Sequence, residues 1–289
     1  MNLIEQFVSA TSHMASPEVF RRWCAVSMVS VALGRKCWTS IEAGLRLYPN
    51  TYIFLVSRPG IGKSRAVEEA WQLLRRLPIG PESPCTVVFT PDEITKERMV
   101  QHMGEVFYEG REPGSVSYFG LISEFATLMP EPDAGWMQSI ARIWDCPERY
   151  ERQTKHHGTD VLVNPYCCVL AGVQPSWFAE GFPPHAYELG LPARIIFVYA
   201  GEKPEREFFA KAPSRVAALA AVYEGLERVH KIRGEFPWEP AAKQAWSAWA
   251  RAGFPPAPDD PLLEGYTVRR DMHMAKLAMI VAAASHPES

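Results

Sequence analysis

The feature that most constrains this chain is an eight-residue run, Ser57-Arg58-Pro59-Gly60-Ile61-Gly62-Lys63-Ser64, together with its two flanks. Before it, Thr51 to Val56 is a continuous β-rich apolar run, as expected of a strand covered on both faces. After it, Lys63 to Leu77 reads as a helix. Gly60 and Gly62 allow a tight turn that aims backbone N–H groups inward, and the helix N-terminus adds its dipole and unpaired donors. Strand, loop and helix in that order form a nest for anionic oxygens.

The run fits the phosphate-binding P-loop pattern, except that Ser57 stands where glycine usually opens the motif. Lys63 is expected to neutralise the β- and γ-phosphates of ATP, and the Ser64 hydroxyl to ligate Mg2+. Pro59, Gly60, Ile61, Gly62 and Arg65 complete the expected cradle. A glycine-rich turn that merely precedes a lysine is the bland alternative, and the flanking strand and helix argue against it.

Further along, strand-like and helix-like segments alternate. Strands are expected at Thr86 to Phe89, Val116 to Ile122, Tyr166 to Val173 and Arg194 to Tyr199. Helices are expected at Thr95 to Tyr108 and around Trp136 to Trp144. Such alternation implies βαβ crossovers and a mainly parallel sheet. After Gly201 only helical patterns follow, at Phe208 to His230, Pro240 to Ala252 and Tyr266 to Ala284. The expected fold is therefore an α/β P-loop domain followed by a small helical lid. Its divisions are an N-terminal helix and hairpin region over 1–50, an α/β core over 51–201 and the lid over 202–289.

Composition removes several other classes. A net charge of -3 gives no global basic field, so any nucleic-acid contact must be local. The six cysteines show no CxxC spacing and read as reduced core thiols. The opening MNLIEQFVSATSH is unlike a signal peptide, and the longest apolar-rich run, Cys24 to Gly34, falls short of the ~20 residues that cross a bilayer. No membrane partner and a cytoplasmic location are expected.

An ATPase site also needs an acid at the end of a second buried strand. Tyr118 to Glu124 offers Ser123-Glu124 there, with Glu124 as the base that polarises water and Ser123 where an aspartate usually supports the metal. A neutral serine there is expected to weaken magnesium binding, with Asp92, Glu93 or another acid compensating.

With these motifs in order, the sequence over roughly residues 50 to 285 resembles the AAA+ superfamily, especially minichromosome-maintenance helicases and related ATPases of phages and mobile elements. The resemblance implies further roles. Gln174, in Val169 to Pro175, is placed as the sensor of the γ-phosphate. Arg194, after Gly190-Leu191-Pro192-Ala193, is placed as the arginine finger that serves a neighbouring subunit's ATP. Arg269, in Thr267-Val268-Arg269, resembles the second sensor and is placed against ATP. A Lys-His-His-Gly tip between Glu151 and Val163 reads as a β-hairpin. In the related helicases such a hairpin touches DNA, which implicates Arg152, Lys155 and His156.

The function so implied is an ATP- and Mg2+-dependent ATPase acting on DNA in replication. It would be a helicase or helicase loader of a phage or mobile element in a bacterial cytoplasm, assembled as a homo-oligomeric ring or partial ring alongside replication proteins. A slow nucleotide-gated switch that recruits partner proteins is the alternative, favoured by Ser123. A small-molecule kinase fits the P-loop alone.

Overall fold

The computed structural model describes the chain except residues 1, 79–82, 84, 92, 123–124, 130, 132, 155–157, 178–181, 183, 206–214, 257–258 and 287–289. Its centre is a five-stranded, all-parallel sheet built from β3 (Tyr52–Val56), β4 (Thr86–Phe89), β5 (Val116–Ile122), β8 (Cys167–Val173) and β9 (Ile195–Tyr199), in the order β4-β5-β8-β3-β9. This is the expected mixed α/β architecture. The chain enters at β3, crosses to the far edge at β4, returns through β5 and β8, then passes β3 to finish at β9. The direction of succession therefore reverses beside β3, and such reversals open a crevice at the carboxyl ends of the strands.

Both faces of the sheet are covered, which is why its strands read as unbroken apolar runs. Ile53 and Leu55 of β3, with Cys168 and Leu170 of β8, point into one core. That core is shared with α1 (Leu3–Ala10), α2 (Glu18–Leu33) and α3 (Lys63–Leu74). Tyr52, Phe54, Cys167 and Val169 point to the other core, built with α4 (Lys96–Val106), α5 (Phe125–Leu128) and α6 (Ala134–Trp144). Alternate residues of one strand thus feed opposite layers.

Helix α2 begins after Ser16-Pro17, as the proline and the acidic Glu18 suggest. Twelve of its sixteen residues are buried, so it is a core helix and not an amphipathic surface one. Ser30 within it donates to the Pro49 carbonyl at 2.6 Å, and Tyr166 donates back to the Ser30 carbonyl at 2.7 Å. Helices α1 and α2 therefore form one wall of the α/β core. A small separate sheet joins β1 (Cys37–Glu42), β2 (Leu45–Leu47) and β10 (Gly234–Glu235).

After a short helix α7 (Pro184–Glu188), the helical tail comprises α8 (Arg215–Lys231), α9 (Pro240–Arg251) and α10 (Glu264–Ser285). Val222, Leu226 and Val229 of α8 and Ile280, Ala283 and Ala284 of α10 enter the same core as α1 and α2. The segments before 50 and after 202 thus pack on each other, although the sequence divides them. Helix α9 buries none of its residues. The hairpin expected over 151–163 is present as β6 (Arg149–Thr154) antiparallel to β7 (Gly158–Val163). Its base is tied to the end of α4, where Val163 donates to the Phe107 carbonyl at 2.7 Å. All six cysteines are buried free thiols. No helix among the described residues is long and apolar enough to cross a membrane.

Candidate functional site

The run from Ser57 to Ser64 lies at the carboxyl end of β3, inside the crevice. Ser57 donates its N–H to the Val173 carbonyl at 3.2 Å, and Ala200 donates to the Val56 carbonyl at 3.1 Å, so the ends of β8, β3 and β9 are stitched together. Gly60 and Gly62 have φ of 81° and 102°, the left-handed region that glycine enters at no steric cost. At Gly62 space adds a second reason: a β-carbon would lie 2.3 Å from the Ala15 carbonyl oxygen. The turn between α1 and α2 thus presses directly on the loop. Arg21 holds that turn, its guanidinium buried and donating to the Val8 and Ser16 carbonyls.

Gly62 is also the N-cap of α3, with no side chain capping the first turn. A helix N-terminus of this kind presents backbone donors suited to an anionic acceptor. Ser64, in that turn, is exposed. Lys63 folds back over its own loop, donating to the Ser57 carbonyl at 2.6 Å and to Ser57 Oγ at 3.1 Å.

A cavity of about 190 Å³ opens beside this loop, lined by Lys63, Phe125, Gly172, Val173, Gln174 and Trp177 among others. The order of the sheet explains the grouping. Because β8 lies between β3 and β5, the residue after β8 (Gln174) and those after β5 (Phe125, Ala126) flank Lys63. Gln174 accepts from the Trp177 N–H at 3.1 Å through its backbone carbonyl, which fixes the turn carrying its side chain. Trp177 is 6% exposed, donates to the Met129 carbonyl at 3.3 Å and meets Phe125 edge-on at 5.2 Å. Phe125 and Trp177 had no motif to mark them. They form an apolar wall of the cavity.

The two motif arginines lie elsewhere. Parallel pairing places Tyr52 against Ile195 at the entry end of β3 and Val56 against Tyr199 at its exit end. Arg194 precedes the entry end and Ser57 follows the exit end, six strand steps apart, or about 20 Å. Arg194 is 9% exposed, donates to Asp145 and the Gly190 carbonyl, and lies 5.7 Å from the Trp144 ring centre. Arg269 sits beside it, with burial first and the Arg194 charge second holding its pKa below the usual guanidinium value. Neither is brought together with Lys63 and Gln174. Also at this lower end, Lys276 is buried 3.8 Å from the centre of the Trp144 ring and donates to Asn50. Burial pushes its ammonium down to about 8.

In the hairpin, Arg152 stands directly opposite Asp160. Lys155 and His156 lie outside the described residues, as do Asp92, Ser123 and Glu124. No group of three or more metal-ligating side chains occurs among the described residues. No protein-family model matches the chain, and no curated protein matches it.

Proposed function

We propose that the chain is an ATP-binding and ATP-hydrolysing protein of the AAA+ type that acts on DNA in replication, as a helicase or helicase loader of a phage or mobile element. One observation carries this reading: Lys63 and Gln174 line the same cavity, beside the N-terminus of α3, which no side chain caps. In this reading the triphosphate lies along Ser57 to Ser64, with the loop N–H groups and Lys63 holding its β- and γ-phosphates. Ser64 fits the metal because its hydroxyl is exposed on the first turn of α3. Mg2+, when bound, neutralises charge on the phosphate oxygens. Gln174 hydrogen-bonds the terminal phosphate, and Phe125 and Trp177 exclude bulk water. Glu124, immediately before Phe125, is the proposed base toward the attacking water.

The 20 Å separation along the sheet bears on assembly. Arg194 and Arg269 are too far from Lys63 to serve the same chain's nucleotide, so any action on phosphate is on a neighbour's. That supports a ring or partial ring in which the lower end of one subunit meets the upper end of the next. The hairpin would then carry Arg152, Lys155 and His156 to DNA.

A second reading, a slow nucleotide-gated switch that recruits partner proteins, is favoured by the engagement of Arg194 with Asp145. A guanidinium held there is withheld from a neighbour's phosphate. The deciding measurement is ATP hydrolysis with Mg2+, with and without single-stranded and duplex DNA, beside Glu124→Gln and Arg194→Ala. DNA-stimulated turnover lost in both variants supports the DNA motor. Tight ATP binding with turnover indifferent to DNA supports the switch.

A further inference from the structure

We propose that Ser57 is a positioning residue: its hydroxyl latches Lys63 onto its own loop, so that a nucleotide must displace a built-in competitor before its phosphates meet the ammonium. The proposal rests on the P-loop reading of this same loop.

Ser57 stands where the pattern has glycine, and it is fully buried. Lys63 Nζ donates to the Ser57 carbonyl at 2.6 Å and to Ser57 Oγ at 3.1 Å, with the Arg58 carbonyl farther off at 3.5 Å. With glycine at 57 the second acceptor would not exist. The hydroxyl is also oriented for the task. It donates its own proton to the Arg58 carbonyl at 3.1 Å, which turns a lone pair toward the ammonium. Its backbone is fixed in turn, since the Ser57 N–H is bonded to Val173 at the end of β8. The latch is therefore part of the sheet's rigid edge.

Phosphate oxygens are charged acceptors and outcompete a hydroxyl for an ammonium. The apparent affinity is nonetheless lowered by the fraction of molecules in which Lys63 is latched. Removing the hydroxyl takes away one bond of the competing state and leaves the loop backbone in place. Ser57 has no positive φ, so alanine fits its conformation.

The test uses the full chain with Ser57→Ala, Ser57→Gly as a second hydroxyl-free variant, and Ser57→Thr, which keeps an oxygen. Two quantities are read: the Kd for a non-hydrolysable ATP analogue with Mg2+, and, without nucleotide, the rate of Lys63 acylation by a water-soluble active ester, located by peptide mass mapping. The hydroxyl-free variants are expected to bind about three- to tenfold more tightly, the range set by one net hydrogen bond. They should also acylate faster at Lys63, while Ser57→Thr stays near the parent on both counts. Affinity equal to or weaker than the parent's in the hydroxyl-free variants overturns the proposal. A parent that binds no nucleotide sinks the P-loop reading instead. The latch is then judged on acylation alone, and unchanged acylation overturns it.

Discussion

Arg194 donates to both carboxylate oxygens of Asp145, at 3.1 and 2.9 Å through Nη2, and so ties the start of β9 to the residue that ends α6. The Arg194 side chain is 10% exposed and that of Asp145 30%, so the pair is sheltered without being sealed. Removing the carboxylate leaves a guanidinium buried beside Arg269 with no ion-pair partner among the described residues. Asp145→Ala is expected to destabilise the fold by roughly 2–3 kcal/mol, below the 3–5 of a fully buried pair because water screens one partner. Urea unfolding checks this, and a change under ~0.5 kcal/mol would mean the pair contributes nothing net.

Lys63→Ala should abolish nucleotide binding with little loss of stability, because the side chain is only partly buried on the loop. Calorimetric titration with ATP and Mg2+ measures the first and thermal melting the second. Retained affinity would remove the phosphate assignment.

Gly62→Ala combines a left-handed φ with a β-carbon 2.3 Å from the Ala15 carbonyl oxygen. The expected cost is about 2–4 kcal/mol, together with weakened ATP binding, since the turn before α2 cannot yield without disturbing Arg21. A variant as stable as the parent would show that this turn moves freely.

Trp177 forms a wall of the cavity that Lys63 and Gln174 also line, so its emission should change when nucleotide binds. Trp177→Phe should remove the ATP-dependent part of the fluorescence, and Lys63→Ala should remove the response to ATP altogether. A response that survives Trp177→Phe would place the reporting tryptophan elsewhere.

His230 and His273 are buried, and burial brings each imidazole down to about 4 from an ordinary 6.5. A depressed folded value means the unfolded chain takes up protons first. Stability from these groups is therefore complete above about pH 6.5 and is lost as pH falls toward 4. Each contributes a slope approaching 1.4 kcal/mol per pH unit within that window. His273 contacts the Ala193 carbonyl at 3.0 Å, so His273→Gln can keep a donor there while removing one proton from the linkage. Urea midpoints at pH 4.5, 5.5 and 7 should show a shallower acid slope in that variant; an unchanged slope would refute the assignment.

Local chemistry made much of the fold readable. Thr86 to Phe89 and Val116 to Ile122 are strands with the bounds the sequence suggests, because short β-rich runs between turn residues leave little choice. The loop around Lys63 was legible for the same reason, its glycines, lysine and flanks being contiguous. What escaped the sequence depends on long-range neighbours. Asn50 belongs to none of the motifs, yet it donates to the Trp144 carbonyl at 2.9 Å and accepts from Lys276. Arg269 was expected against ATP, but the packing of α10 against the Ala193 turn puts it at the lower end of the sheet. No local pattern encodes which end of a sheet a distant helix will meet.

The pressure of Ala15 on Gly62 makes the segment before α2 part of the loop's support. A polypeptide begun at Pro49 would retain every recognisable motif, yet the loop at Gly62 would lack its buttress and one sheet face the part of its cover that α1 and α2 supply. Motif boundaries and packing boundaries therefore differ in this protein, and trimming to the former is expected to yield a fragment that binds no nucleotide.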